Sequence, residues 1–123
     1  MKSNVVTHAL LNIASSHPNR ADIIFIQEPW WGRISLDVKS GNPIMGLPSH
    51  PDWTAILPSA PNQRPDVAIY VTRKHVGWRT QLRTDLFAHP SILAIEVVTE
   101  RDTFTLVNVS GLYGLLTCGT LEV

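Results

Sequence analysis

With one cysteine in the whole chain, Cys118, no disulfide framework is available. Long apolar runs are missing as well: nothing approaches the roughly 20 residues that cross a bilayer, and Met1-Lys2-Ser3-Asn4 opens no signal-peptide pattern. These absences set the expectation of an intracellular chain without membrane attachment, nucleus and cytoplasm being left open. Net charge is lacking too. Ten basic residues cancel ten acidic ones, so any attraction for phosphate must come from a local patch or a metal ion rather than from a global positive field. The five histidines show no metal-ligand spacing, and His17, His50 and His89 stand before prolines as loop or helix-end residues. Ser110 and Cys118 have no partner base close in sequence and are discounted as nucleophiles. Neither an internal repeat nor a low-complexity tract is found. What 123 residues allow is one domain, able to bury about two thirds of its unfolded surface.

The most informative stretch that is present runs from Ala21 to Trp31, a short apolar segment that stops at Gln27-Glu28-Pro29. Ile23 to Gln27 is rich in β-branched and aromatic types and too short for a helix, which predicts a strand buried on both faces. Pro29 removes a backbone donor and disfavours helical geometry at Glu28, so the strand ends there with a carboxylate at its carboxyl-terminal lip. In open α/β sheets that lip is where ligands bind. A carboxylate at such a place suits Mg²⁺, which is usually held by one or two carboxylates plus substrate phosphate. Alone, though, a strand-end glutamate is ordinarily a solvated edge residue.

Upstream, Val6, Ala9, Leu10, Ile13 and Ala14 recur at helical intervals, predicting a helix over Val5 to His17 with Ser3 or Asn4 as cap and Pro18 as stop. A helix feeding directly into a buried strand reads as the second half of a βαβ unit, whose first strand lies outside the chain. Residues 31 to 64 are rich in proline and glycine and predict a long surface loop holding one short strand near Trp53 to Pro58. Val67 to Thr72, Trp78 to Arg83, Ile92 to Thr99 and Thr103 to Val109 have strand composition, with Thr99-Glu100-Arg101-Asp102 as a hairpin turn. The final segment, Ser110 to Val123, has no clear period.

Three segments, in this order, carry a family resemblance: the helix running into Ala21 to Trp30; Arg64-Pro65-Asp66-Val67-Ala68-Ile69-Tyr70-Val71; and Ile92 to Val97 followed by Thr105 to Val109. Together they resemble the endonuclease/exonuclease/phosphatase family, the DNase-I-like nucleases, and most closely the endonuclease domain of non-LTR (LINE-type) retrotransposons. The resemblance covers residues 3–109, as the N-terminal part of such a domain. Ser110 stands where the family normally carries a tyrosine, so 110–123 is set apart as an atypical tail. The fold that the resemblance implies is α/β, a partial four-layer α/β/β/α sandwich with one main helix, about five to six strands and a mixed sheet.

By resemblance the chemistry is Mg²⁺-dependent phosphodiester hydrolysis, with Mn²⁺ as an alternative ion, nicking target DNA in retrotransposition. Glu28 then holds the metal, and Gln27 supports the same strand end. Trp30 would stack on a base or else cover a core edge. Arg79 and Arg83, which alternate with Gln81 on one strand face, would meet a phosphate backbone or else form the wet face of an antiparallel strand. The family also uses an Asn at the end of its first strand, a later Asp-x-Asn pair and a closing Asp-His, and none of these is found in place. The implied enzyme is therefore incomplete and catalytically impaired. The alternative is a non-catalytic nucleic-acid-binding or protein-interaction module, whose exposed apolar sheet face a partner protein covers. A sugar or lipid phosphatase shares the metal chemistry, but the Gln-Glu-Pro-Trp sequence favours the retrotransposon branch.

Overall fold

The computed structural model describes residues 4–16, 21–58 and 64–110, and the backbone of 118–122. The helix α1 spans Asn4–Ser16. Its buried face is set by Thr7 and Leu11, one helical turn apart. The expected stripe is thereby corrected, because Val6 (52% exposed) and Ile13 (63%) point outward. A polar clamp accounts for the rotation: the Trp53 indole Nε1 donates to Ser15 Oγ at 2.8 Å and to Leu11 O at 3.3 Å, so the helix must turn this side to the sheet. Asn4 is the first helical residue and its Oδ1 is buried without a hydrogen-bond partner, so it does not act as the cap. Ser3 and Pro18 lie outside the described residues.

Strand β1, Ile23–Gln27, is followed by β2 (Gly32–Leu36), β3 (Pro43–Gly46), β4 (Trp53–Ile56), β5 (Val67–Thr72), β6 (Arg79–Leu82), β7 (Ile92–Val98), β8 (Thr103–Val109) and β9 (Cys118–Glu122). The chain is thus a mixed α/β fold, with more strands than the sequence suggested. They form three sheets, ordered β1-β5-β4, β2-β3 and β6-β7-β8-β9. Every pairing among the described residues is antiparallel, which replaces the expected mixed sheet. β1 returns against β5 in the register Phe25↔Ile69 instead of lying beside a parallel neighbour, and it forms an edge of its sheet. For that reason only Ile26 of β1 is fully buried, where burial on both faces was expected.

β5 takes the central place, and all six of its residues are buried because both faces are covered. Val67, Ile69 and Val71 pack with Leu93, Ile95 and Val97 of β7 and Leu106 of β8. Ala68 and Tyr70, on the opposite face, pack with Leu11 of α1, Ile26, Leu47 and Trp53. Alternation along one strand therefore creates three layers: helix, three-stranded sheet, four-stranded sheet. The phenolic hydroxyl of Tyr70 donates to Pro48 O at 2.7 Å, and burial raises its pKa to about 12.

The supposed loop after Trp31 holds a separate ribbon. β2 and β3 pair from Gly32↔Gly46 to Leu36↔Pro43 with an irregularity between Arg33 and Ser35. Asp37 closes its turn, accepting from Ser40 Oγ at 2.7 Å, and that bond lowers its pKa. Gly41 takes φ 72, which few residues other than glycine adopt cheaply. Ile34, Leu36, Ile44 and Met45 of this ribbon stay exposed. The expected turn joining β7 to β8 is present, with the Thr99 amide bonded to Asp102 O at 2.8 Å. The tail contributes β9, which pairs with β8; residues 111–117 and 123 lie outside the described set.

Candidate functional site

Antiparallel pairing brings the end of one strand beside the start of the next, and here it gathers four such points at one end of the two packed sheets. Gln27 lies opposite Val67, and Leu93 lies opposite Asn108. The β1 to β5 ladder continues one residue further, where the Glu28 amide donates to Asp66 O at 2.8 Å. Glu28 then turns away with φ 47, a positive value otherwise seen among the described residues only at Gly41. Left-handed backbone costs a residue with a Cβ roughly 1–2 kcal/mol, so neighbouring contacts must hold it. Pro29, which follows, is buried, whereas Glu28 itself is exposed at the lip.

Behind Glu28 lies a polar seam between the two sheets. Asn108, at 0% exposure, donates through Nδ2 to Ala68 O at 3.0 Å and to Ile26 O at 3.4 Å. Its Oδ1 accepts from Gln27 Nε2. Both ends of this buried amide are therefore satisfied, as burial of a polar group demands. Asp66 is a second hub. Its carboxylate accepts from Ser91 Oγ at 2.5 Å, a charge-assisted contact, while its amide donates to Pro90 O at 3.1 Å. Ser91 O in turn accepts from the Ser110 amide at 2.8 Å, and the Ser91 amide donates to His89 Nδ1 at 3.0 Å.

Of the residues expected at the site, Gln27 and Glu28 are brought together here, and the chain continues directly into Trp30. The Trp30 ring lies close against Gly32, where an added Cβ would stand 2.5 Å from Cζ2. Trp31 packs instead against the Leu11–Tyr70 cluster. Arg79 is not at this end. It pairs with Val98, and Asn108 faces Leu93, a separation of roughly 17 Å at the usual rise of a strand. Arg83 lies nearer, its amide bonded to Ala94 O, but its guanidinium is engaged by Asp85 at 2.7 Å and Glu96 at 3.0 Å. The bonds that Arg83 donates to Asp85 foremost raise the Arg83 pKa, and the same bonds lower that of Asp85.

Three clefts of ≈ 430, ≈ 570 and ≈ 220 Å³ lie at the opposite end, around Arg73, Lys74, His75 and Trp78. There His75 stacks on Trp78 with ring centroids 4.2 Å apart, and its Nε2 stands 3.1 Å from Asp22 Oδ1 without hydrogen-bond alignment. Among the described residues these clefts are the evident cavities at that end. The chemistry favours the lip, because at the far end the cations Arg73, Lys74 and Arg101 are interleaved with Asp22, Asp52, Glu100 and Asp102, leaving no field of one sign.

As to a metal, no group of three or more His, Cys, Asp or Glu side chains that could hold an ion occurs among the described residues. Zinc or calcium, which take dedicated protein cages, do not suit this donor set. Mg²⁺ or Mn²⁺ needs only one or two carboxylates when phosphate oxygens and water complete its shell, and Glu28, exposed at the lip, would supply one. Asp66, Ser91 and Asn108 were not singled out from the sequence. The signal was present for Asn108, a carboxamide at an inward position of the apolar strand Thr103–Val109, where a polar side chain needs a partner. For Asp66 the only hint was its place immediately before the largely apolar strand Val67–Thr72.

The chain matches no family model, no curated protein and no solved structure.

Proposed function

We propose that this chain carries the metal-anchoring part of a DNase-I-like phosphodiesterase domain, of the DNA-nicking type that serves retrotransposition, in which Glu28 is the metal-binding carboxylate. The supporting observation is the backbone of Glu28, left-handed and exposed at a strand end. Strain of this kind clusters at functional sites because ordinary packing gives no reason to keep it. The layer order of helix, three-stranded sheet and four-stranded sheet supports this reading, being compatible with part of an α/β/β/α sandwich.

When bound, a divalent cation supplies charge stabilisation at a phosphoryl oxygen. Glu28 would hold it, the Gln27 amide, fixed by Asn108, would orient the strand end, and Trp30 offers an aromatic surface beside it. Activation of water needs a further base, and among the described residues no His–Asp contact stands at this lip; the two that occur, His50–Asp52 and His75–Asp22, are elsewhere. On this reading the described residues hold a metal and phosphate but supply no such base at this lip.

The test is a Mn²⁺ titration followed by paramagnetic broadening of backbone NMR signals. Broadening centred on Glu28 and lost in Glu28→Gln is expected; broadening that survives the substitution contradicts the reading. In parallel, any nicking of supercoiled plasmid above background with Mg²⁺ must disappear in Glu28→Ala. A second reading, a protein-interaction module, is favoured by the exposed Ile34, Leu36, Ile44 and Met45. Adjoining coding sequence that supplies the Asp-x-Asn and Asp-His segments would decide for the nuclease.

A further inference from the structure

The left-handed turn at Glu28 stands directly on the last rung of the β1 to β5 ladder, and that rung ends on Asp66. The Glu28 amide has its acceptor in Asp66 O. Opening the rung removes one of the contacts that oppose relaxation of this strained backbone, and in a strand a change of that kind redirects the side chain to another face. Asp66 is itself no free loop residue. It is fastened at two points to the segment entering β7, through its amide to Pro90 O and through its carboxylate to Ser91 Oγ. Ser91 is tied onward to the end of β8 through the Ser110 amide. A continuous path of hydrogen bonds thus runs from Glu28 through Asp66 and Ser91 to Ser110, crossing from one sheet to the other.

From this path we infer that Asp66 and Ser91 form a clasp that positions Glu28, Asp66 through its carbonyl and Ser91 by fixing Asp66. The inference rests on the proposed role of Glu28 for its functional meaning, but the clasp itself is measurable without any metal. Ser91 is the informative position, since removing its hydroxyl leaves the Asp66 charge in place and so does not weaken cation binding by simple electrostatics.

The experiment is amide hydrogen exchange on the full chain, native and with Ser91→Ala and Ser91→Thr, together with Mn²⁺ titration of each. Ser91→Ala is expected to speed exchange at Glu28 roughly tenfold, as loosening of one charge-assisted bond allows, with Ile26, deeper in the same ladder, unchanged. Ser91→Thr, which keeps the hydroxyl, restores the native rate. Mn²⁺ affinity falls roughly tenfold in Ser91→Ala and recovers in Ser91→Thr. Unchanged exchange at Glu28 overturns the clasp, and so does equal acceleration at Ile26, which would report general loosening. Absence of Mn²⁺ binding in the native chain overturns the function proposed for Glu28 while the exchange rates still decide the clasp.

Discussion

Replacing Glu28 separately by glycine and by alanine isolates the backbone strain at the lip. Both variants lose the carboxylate and whatever it contacts, so their difference reports the φ of 47 offset by glycine's own chain entropy. Alanine must still enter the left-handed region, which costs roughly 1–2 kcal/mol for a residue with a Cβ. Glycine enters it freely but gives up about 0.5–1 kcal/mol of additional chain entropy on folding. Glu28→Gly should therefore be more stable than Glu28→Ala by about 0.5–1 kcal/mol, or about 2–4 °C in Tm for a chain of this size. Urea unfolding of both proteins, analysed with a common m-value, is the assay. Alanine equal to or more stable than glycine would refute the argument, because it would mean that this residue is not held left-handed in solution. Neither variant should show Mn²⁺ broadening at the strand end.

Asn108→Ala should destabilise by about 2–3 kcal/mol, since it removes from a buried seam the bonds that Asn108 makes with the Gln27 side chain and the Ile26 and Ala68 carbonyls; chemical denaturation measures it. For Tyr70 the sign follows from a folded-state pKa of about 12 against the ordinary 10. Below pH 10 both states are protonated and stability is flat; between pH 10 and 12 the unfolded chain ionises first, so stability falls by on the order of 2 kcal/mol. Tyr70→Phe should remove that alkaline loss while costing about 1 kcal/mol at neutral pH through the bond to Pro48, and denaturation at a series of pH values distinguishes the two. Gly32→Ala should push the Trp30 ring off the backbone that it covers, read as a red shift in tryptophan fluorescence, with an unchanged spectrum contradicting the packing.

Local patterns in the sequence located the strands well where one face had to be apolar. Ile23–Gln27, Val67–Thr72 and Thr103–Val109 have the bounds that composition suggests, because β-branched residues flanked by turn formers leave little freedom. Pairing was another matter. A helix leading into a strand suggested a parallel crossover, yet the choice of β5 as antiparallel partner depends on contacts more than 40 residues away, such as Phe25↔Ile69, which no local window contains. The ribbon was missed because Pro43 and Gly46 read as breakers, although proline is tolerated at the first residue of an edge strand. The helix face was misjudged for a related reason: Thr7 is buried and Val6 is not, an outcome fixed by the distant Trp53 indole. At the lip, Glu28 was legible from the proline that follows it. The groups behind it, Asp66, Ser91 and Asn108, come together only through the register of both sheets.

The β2–β3 ribbon packs chiefly on itself, and its base is a ladder pair of two glycines, Gly32 and Gly46. Antiparallel partners stand only about 4.5–5.5 Å apart, so the main chain entering and leaving this arm is already nearly closed. Excising residues 33–45 and joining the stumps with a tight turn would ask little of the layers beneath, and grafting a different hairpin there should be equally well tolerated. The arm can thus diverge in length and character while the scaffold bearing Glu28 stays as it is.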